Sequence, residues 1–144
     1  MIEQDTIKLL RECDAGVKMG VTSIDEVIDH VKSEPFKKFL NASKDEHREL
    51  DMEIRNALDR FGDDGKDPNP IAKGMSWMKT NVKLGLDNSD STIADLMTDG
   101  CNMGVKSLNK YLNQYEAASE RSKDITKRLI NLEEKLTTDI RSYL

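Results

Sequence analysis

The sequence is poor in the residues that shape small secreted or β-rich domains. Its 144 residues hold 2 cysteines, 3 prolines and only 5% aromatic side chains. Two cysteines, Cys13 and Cys101, without Cys-x-x-Cys spacing, cannot build a disulfide framework; they fit a reducing compartment and predict a cytoplasmic protein. With few aromatics, few turn-forming prolines and 34% charged residues, a β sandwich is disfavoured and water-exposed helices are expected. An excess of positive charge is also missing: the net charge is -5, so no broad surface for neutralising phosphates, and hence no nucleic-acid partner, is expected. No apolar run approaches the roughly 18 residues that span a bilayer. The start, Met1-Ile2-Glu3-Gln4-Asp5, has no basic segment followed by an apolar one, so no export signal is expected.

What is present is helical periodicity over the length of one domain; halves of this chain would be too small to bury a useful core. Ile7, Leu10, Val17, Val21, Ile24, Ile28 and Val31 fall on steps of three and four, with Asp14 filling the one gap. Asp5 or Thr6 is the expected N-cap. The helix should stop near Lys32, because Pro35 disfavours α geometry at Glu34 and Ser33 can cap the next helix. Phe36, Leu40, Ser43, His47, Leu50, Ile54, Ala57 and Phe61 form a second seam, closed by Gly62. Two antiparallel helices joined by a tight turn are predicted.

Residues 62–70 (GDDGKDPNP) hold two glycines and two prolines and read as a linker. Ile71, Met75, Met78 and Val82 then repeat at helical spacing in a short segment that suits a crossover. A cluster of capping residues, 87–92, precedes a third seam through Ala94, Thr98, Cys101, Val105, Leu108, Leu112 and Tyr115, with Thr92 and Asp95 spaced as a capping box. Ile125, Leu129, Leu132, Leu136 and Ile140 carry a fourth helix that starts near Ser119. The domain therefore divides into a hairpin (5–61), a crossover (62–90) and a second hairpin (91–143).

An internal repeat supports this division. Gly16-Val17-Lys18-Met19-Gly20-Val21-Thr22-Ser23-Ile24-Asp25 aligns with Gly100-Cys101-Asn102-Met103-Gly104-Val105-Lys106-Ser107-Leu108-Asn109, which pairs helix one with helix three. A glycine inside a helix costs about 1 kcal/mol relative to alanine, so Gly16, Gly20, Gly100 and Gly104 call for close helix approach. The whole order describes an all-α, antiparallel four-helix bundle with a ferritin-like helical crossover between helices two and three.

Several stretches resemble a specific family. They are helix one with Leu10, Cys13 and Gly16, Glu46 in helix two, Gly74-Met75-Ser76-Trp77-Met78-Lys79 followed by Asp87-Asn88-Ser89-Asp90, and the second copy around Gly100. Together they are similar to the ferritin-like bacterial proteins of the domain of unknown function 2383 class, related in plan to rubrerythrin-type bundles. The resemblance covers nearly the whole chain. It implies a bundle whose inward carboxylates, with Glu-x-x-His on two helices, hold two iron or manganese ions.

This chain departs from that pattern. The resemblance implies Glu just after the glycine in both repeats, where this sequence has Val17-Lys18 and Cys101-Asn102. Its two histidines, His30 and His47, have Val27 and Lys44 three positions before them, so the Glu-x-x-His signature is absent. The residues left to ligate a metal are Glu46, His47, Glu49, Glu133 and Glu134. Asp14 should lie about 7.5 Å along the axis from the level of His47, too far to share one ion. His47 reads more simply as a core histidine bonded to a neighbour and Thr98 as bonded to its own helix backbone, while Glu133 and Glu134 lie where one can face the core and the other water, with a solvated pair as the default. The cysteines read as buried free thiols.

No nucleophile elbow, phosphate loop or other catalytic motif occurs, so an enzyme is disfavoured. The expectation is a non-catalytic binding or structural module without cofactor. The alternative is a di-iron or di-manganese carboxylate protein in metal handling or oxidative-stress response. Trp77, with Met75 and Met78 beside lysines 73, 79 and 83, forms a candidate self-association patch, while the same methionines also suit the core groove.

Overall fold

The computed structural model describes residues 2–67 and 89–144, and among these residues the regular structure is all helical, with no strand. Four long helices carry the fold: α1 (Ile2–Val27), α2 (Glu34–Asp59), α3 (Asp90–Gln114) and α4 (Glu120–Ile140). Short 3-10 turns follow α1 (Ile28–His30) and α4 (Arg141–Tyr143). α1 packs on all three other helices, α2 and α3 each pack on α4, and no described helix is long and apolar enough to cross a membrane. The expected crossover helix at Ile71–Val82 lies outside the described residues.

Capping residues set the helix ends. Ser33 accepts a hydrogen bond from the Phe36 amide, with Pro35 in the first turn where its missing N–H costs nothing. α3 begins earlier than the Thr92–Asp95 capping box predicted. Ser89 is its N-cap, and the freed Asp90 carboxylate accepts from the Lys32 and Ser33 amides at 2.8 and 2.9 Å, tying the α1–α2 turn to the start of α3. α1 likewise starts at Ile2, ahead of the expected cap at Asp5 or Thr6. Those side chains serve the other turn: Asp5 accepts from the Ala117 amide and Thr6 Oγ1 from the Ser119 amide, where Ser119 caps α4. Gly62, at φ +66, closes α2 by letting the Asp63 amide return to the Leu58 carbonyl.

The core falls into two apolar clusters. One gathers Ile24, Val27, Phe36, Leu40, Ile93, Met97, Cys101, Leu136 and Ile140, and is closed by Tyr143 stacked on Phe36. The other gathers Leu10, Cys13, Val17, Leu50, Ile54, Leu108, Ile125 and Leu129. Phe61, expected on the α2 seam, is exposed, and Leu58 is buried in that turn of helix instead, because the chain leaves the helix before Phe61 can face inward. On every helix the residues passing from one cluster to the other cross a short gap: 17 to 24 on α1, 40 to 50 on α2, 101 to 108 on α3 and 130 to 136 on α4.

Candidate functional site

The gap between the clusters is a polar layer. α2 contributes His47, 1% exposed, and α4 contributes Glu133, also buried. His47 Nε2 donates to Glu133 Oε1 at 2.8 Å and His47 Nδ1 donates to the Ser43 backbone carbonyl at 2.7 Å. Both nitrogens thus face oxygens that accept, so the ring is held as an imidazolium against the carboxylate. Burial alone pushes the His47 pKa down, and the bond to Glu133 and its charge outweigh this, so the ring's pKa is raised.

The other two helices contribute glycines to this layer. A Cβ at Gly20 on α1 would meet the His47 ring at 3.0 Å and Glu133 Oε1 at 3.6 Å, and one at Gly104 on α3 would meet Glu133 Oε2 at 3.7 Å. Gly20 and Gly104 are equivalent residues of the internal repeat, so both copies bring a glycine to the buried pair, in tight approach at Gly20 and at ordinary contact distance at Gly104. Gly16 of the first copy faces Leu129 of α4, where a Cβ would be at 3.6 Å. Cys101 borders the layer; burial and the adjacent Glu133 carboxylate push its thiol pKa far up. Cys13, in the second cluster, lies 3.1 Å from Thr126 Oγ1, and burial pushes its pKa up to about 12. Neither thiol is activated as a nucleophile.

A second polar cluster sits at the middle of α1, six residues before Gly20. Asp14 is fully buried, and its Oδ2 accepts from the Lys66 amide at 3.0 Å and from Lys18 Nζ at 2.9 Å. Arg55 Nη2 stands 3.9 Å from Asp14 Oδ1, and Arg55 Nε donates to Asp51 Oδ2 at 3.0 Å. The remaining oxygens, Asp14 Oδ1 and Asp51 Oδ1, are buried and have no hydrogen-bond partner when both groups are ionised; they can bond each other only with a proton on one of them. Desolvation raises the pKa of Asp51, helped by the bond to Asp14. For Asp14 desolvation also acts upward, but the bonds from Asp51, Lys18 and the Lys66 amide prevail and lower it.

Of the five candidate metal ligands, the structure brings together His47 and Glu133. Glu46 is half-buried and 3.6 Å from Lys135 Nζ, while Glu49 and Glu134 are exposed. The expected solvated pair at Glu133 and Glu134 is thus half correct, since Glu133 is drawn inward by His47. Among the described residues no three His, Cys, Asp or Glu side chains are grouped to hold a metal ion. This donor set does not fit a two-metal carboxylate centre, which needs inward ligands from all four helices. Thr98 also differs from expectation: its Oγ1 is buried and makes no hydrogen bond, its own helix backbone included. Met75, Trp77 and Met78 lie outside the described residues.

Sequence reasoning identified His47 and the repeat glycines but missed the partnership with Glu133 and the facing of Asp14 and Asp51. The available signal was register: once Gly20 is opposite His47, counting along both helices places Asp14 near Asp51. Compared with protein-family models, curated proteins and solved structures, the chain matches none, so its chemistry is read from this geometry alone.

Proposed function

We propose that the chain is a non-catalytic binding or structural module built on an antiparallel, ferritin-like four-helix bundle, in which a buried ion pair occupies the level where relatives of this plan ligate metal. One observation carries the reading. At the layer between the two core clusters, α1 and α3 present Gly20 and Gly104, which have no side chain to ligate with, and the single histidine is committed through both nitrogens. Val17 and Cys101, at the places where the resemblance implies glutamate, belong to the apolar clusters.

The antiparallel plan is supported by cross-links whose numbers fall on one helix as they rise on the other. On α1 and α2 these are Asp14 with Arg55 and Asp25 with Lys44, and on α2 and α4 they are Glu53 with Arg128 and Glu46 with Lys135. The ferritin-like crossover is supported by the two ends of the connection. Asp67 bonds Lys18 near the second core cluster, whereas Asp90 bonds the turn at Lys32 and Ser33 beside the first. This reading keeps the kinship with the domain of unknown function 2383 class as a matter of plan, without its metal chemistry, and places the protein in the cytoplasm.

Metal analysis of protein purified without chelator tests the reading. Iron and manganese far below one equivalent are expected, in wild type and in Glu133→Gln alike. Near-stoichiometric metal that is lost on Glu133→Gln or Glu46→Gln would overturn it in favour of the di-metal alternative.

A further inference from the structure

Residues 63–67 leave the end of α2 and lie back on α1 through polar groups alone. The segment, Asp63-Asp64-Gly65-Lys66-Asp67, has no apolar side chain to bury. Beyond the Asp63 amide, which closes α2 on the Leu58 carbonyl, its side-chain ties run to α1. Asp63 takes a two-pronged bond from the Arg11 guanidinium, Lys66 Nζ pairs with Glu12, and Lys18 Nζ reaches the Lys66 carbonyl at 3.5 Å and Asp67 Oδ1 at 3.2 Å. These ties are at the surface and each is worth little. The one buried anchor is Asp14 Oδ2, which accepts the Lys66 amide.

Gly65 makes that anchor reachable. At φ +87 it adopts a backbone conformation that L side chains rarely take, and a Cβ there would fall on Asp14 Oδ2 itself. The observed closure therefore relies on glycine at 65 and on the Asp14 oxygen that takes the Lys66 amide. A segment held without hydrophobic contacts opens at low free energy compared with the helices beneath it.

We propose that residues 63–67 are an electrostatic strap latched by the Asp14 carboxylate, which releases as a unit when that carboxylate is neutralised and uncovers the charged cluster of Asp14, Lys18, Asp51 and Arg55. The groups facing Asp14 are Lys18 on its own helix, Asp51 and Arg55 on α2, and the Lys66 amide on the strap. Two of these neighbours are cations, so protonating Asp14 leaves an excess of positive charge around it. Because the Asp14 pKa is lowered on folding, its contribution is fully present above the ordinary Asp value of about 4 and is lost as pH falls through the lower folded-state value.

Backbone amide exchange on the full chain tests the strap. In wild type at neutral pH the Gly65 and Lys66 amides should be protected, and both Asp14→Asn and Gly65→Ala should speed their exchange by about tenfold or more, with amides at the centres of α1 and α2 unchanged. Gly65→Ala keeps every charge and stands in if Asp14→Asn disturbs folding. Wild-type protection at Lys66 should also fall on acidification while Asp14→Asn shows no such step. Exchange of the wild-type Lys66 amide at the free-peptide rate would overturn the proposal. So would variants as protected as wild type, or release of the helix amides together with the strap.

Discussion

Truncating Glu133 is the sharpest perturbation of the bundle's middle, because its partner cannot follow it out. His47 is 1% exposed, its Nδ1 is fixed by the Ser43 carbonyl, and its Nε2 has Glu133 as its hydrogen-bond partner. Removing one member of a buried ion pair costs about 3–5 kcal/mol. His47 can shed its proton in response, which places Glu133→Ala at the lower end, about 3 kcal/mol. With an unfolding entropy of about 0.3 kcal/mol/K for a chain of this length, the midpoint should fall by about 10 °C. Glu133→Gln keeps an acceptor and loses the charge, so about half of that is expected. The sign with pH is set by the raised His47 pKa. The pair's contribution is complete below the unfolded histidine value of about 6.5 and is lost as pH rises through the higher folded value. Thermal unfolding followed by circular dichroism should therefore separate wild type from Glu133→Ala more at pH 6 than at pH 9. Midpoints within about 1 °C of wild type at both pH values would refute the buried imidazolium–carboxylate pair.

Other outcomes follow from the same geometry. Gly20→Ala puts a methyl 3.0 Å from the His47 ring and should destabilise by about 1–2 kcal/mol despite the gain in helix propensity. Gly104→Ala meets Glu133 only at 3.7 Å and should stabilise by up to about 1 kcal/mol, so urea midpoints should move in opposite directions. Thr98→Val removes a buried hydroxyl that has no hydrogen-bond partner and should leave stability unchanged or raise it by up to about 1 kcal/mol in the same assay. Trp77→Ala should leave helicity intact and lower the mass seen by light scattering, and an unchanged mass would remove the self-association patch.

Four helices, three of the caps' neighbourhoods and most of the buried seam were legible in the sequence because they are local: apolar spacing, Ser33 before Pro35, and Gly62 after α2 each act within a few residues. Helix starts were less legible. Asp5, Thr6 and Asp90 look like caps of their own helices, yet they tie turns 57 to 113 positions away in the sequence, and no local pattern distinguishes the two uses. Glu133 and Glu134 are the same residue type side by side, and the helical turn decides that one faces His47 while the other faces water.

The sequence by itself determined the helical class, the internal repeat and the glycines it carries, since backbone propensity and periodicity are properties of short stretches. Only the tertiary structure decided what those glycines make room for. Whether a carboxylate in the seam becomes a ligand, a solvated charge or half of a buried pair depends on which groups three other helices bring to the same level, and that is fixed by packing and long-range electrostatics.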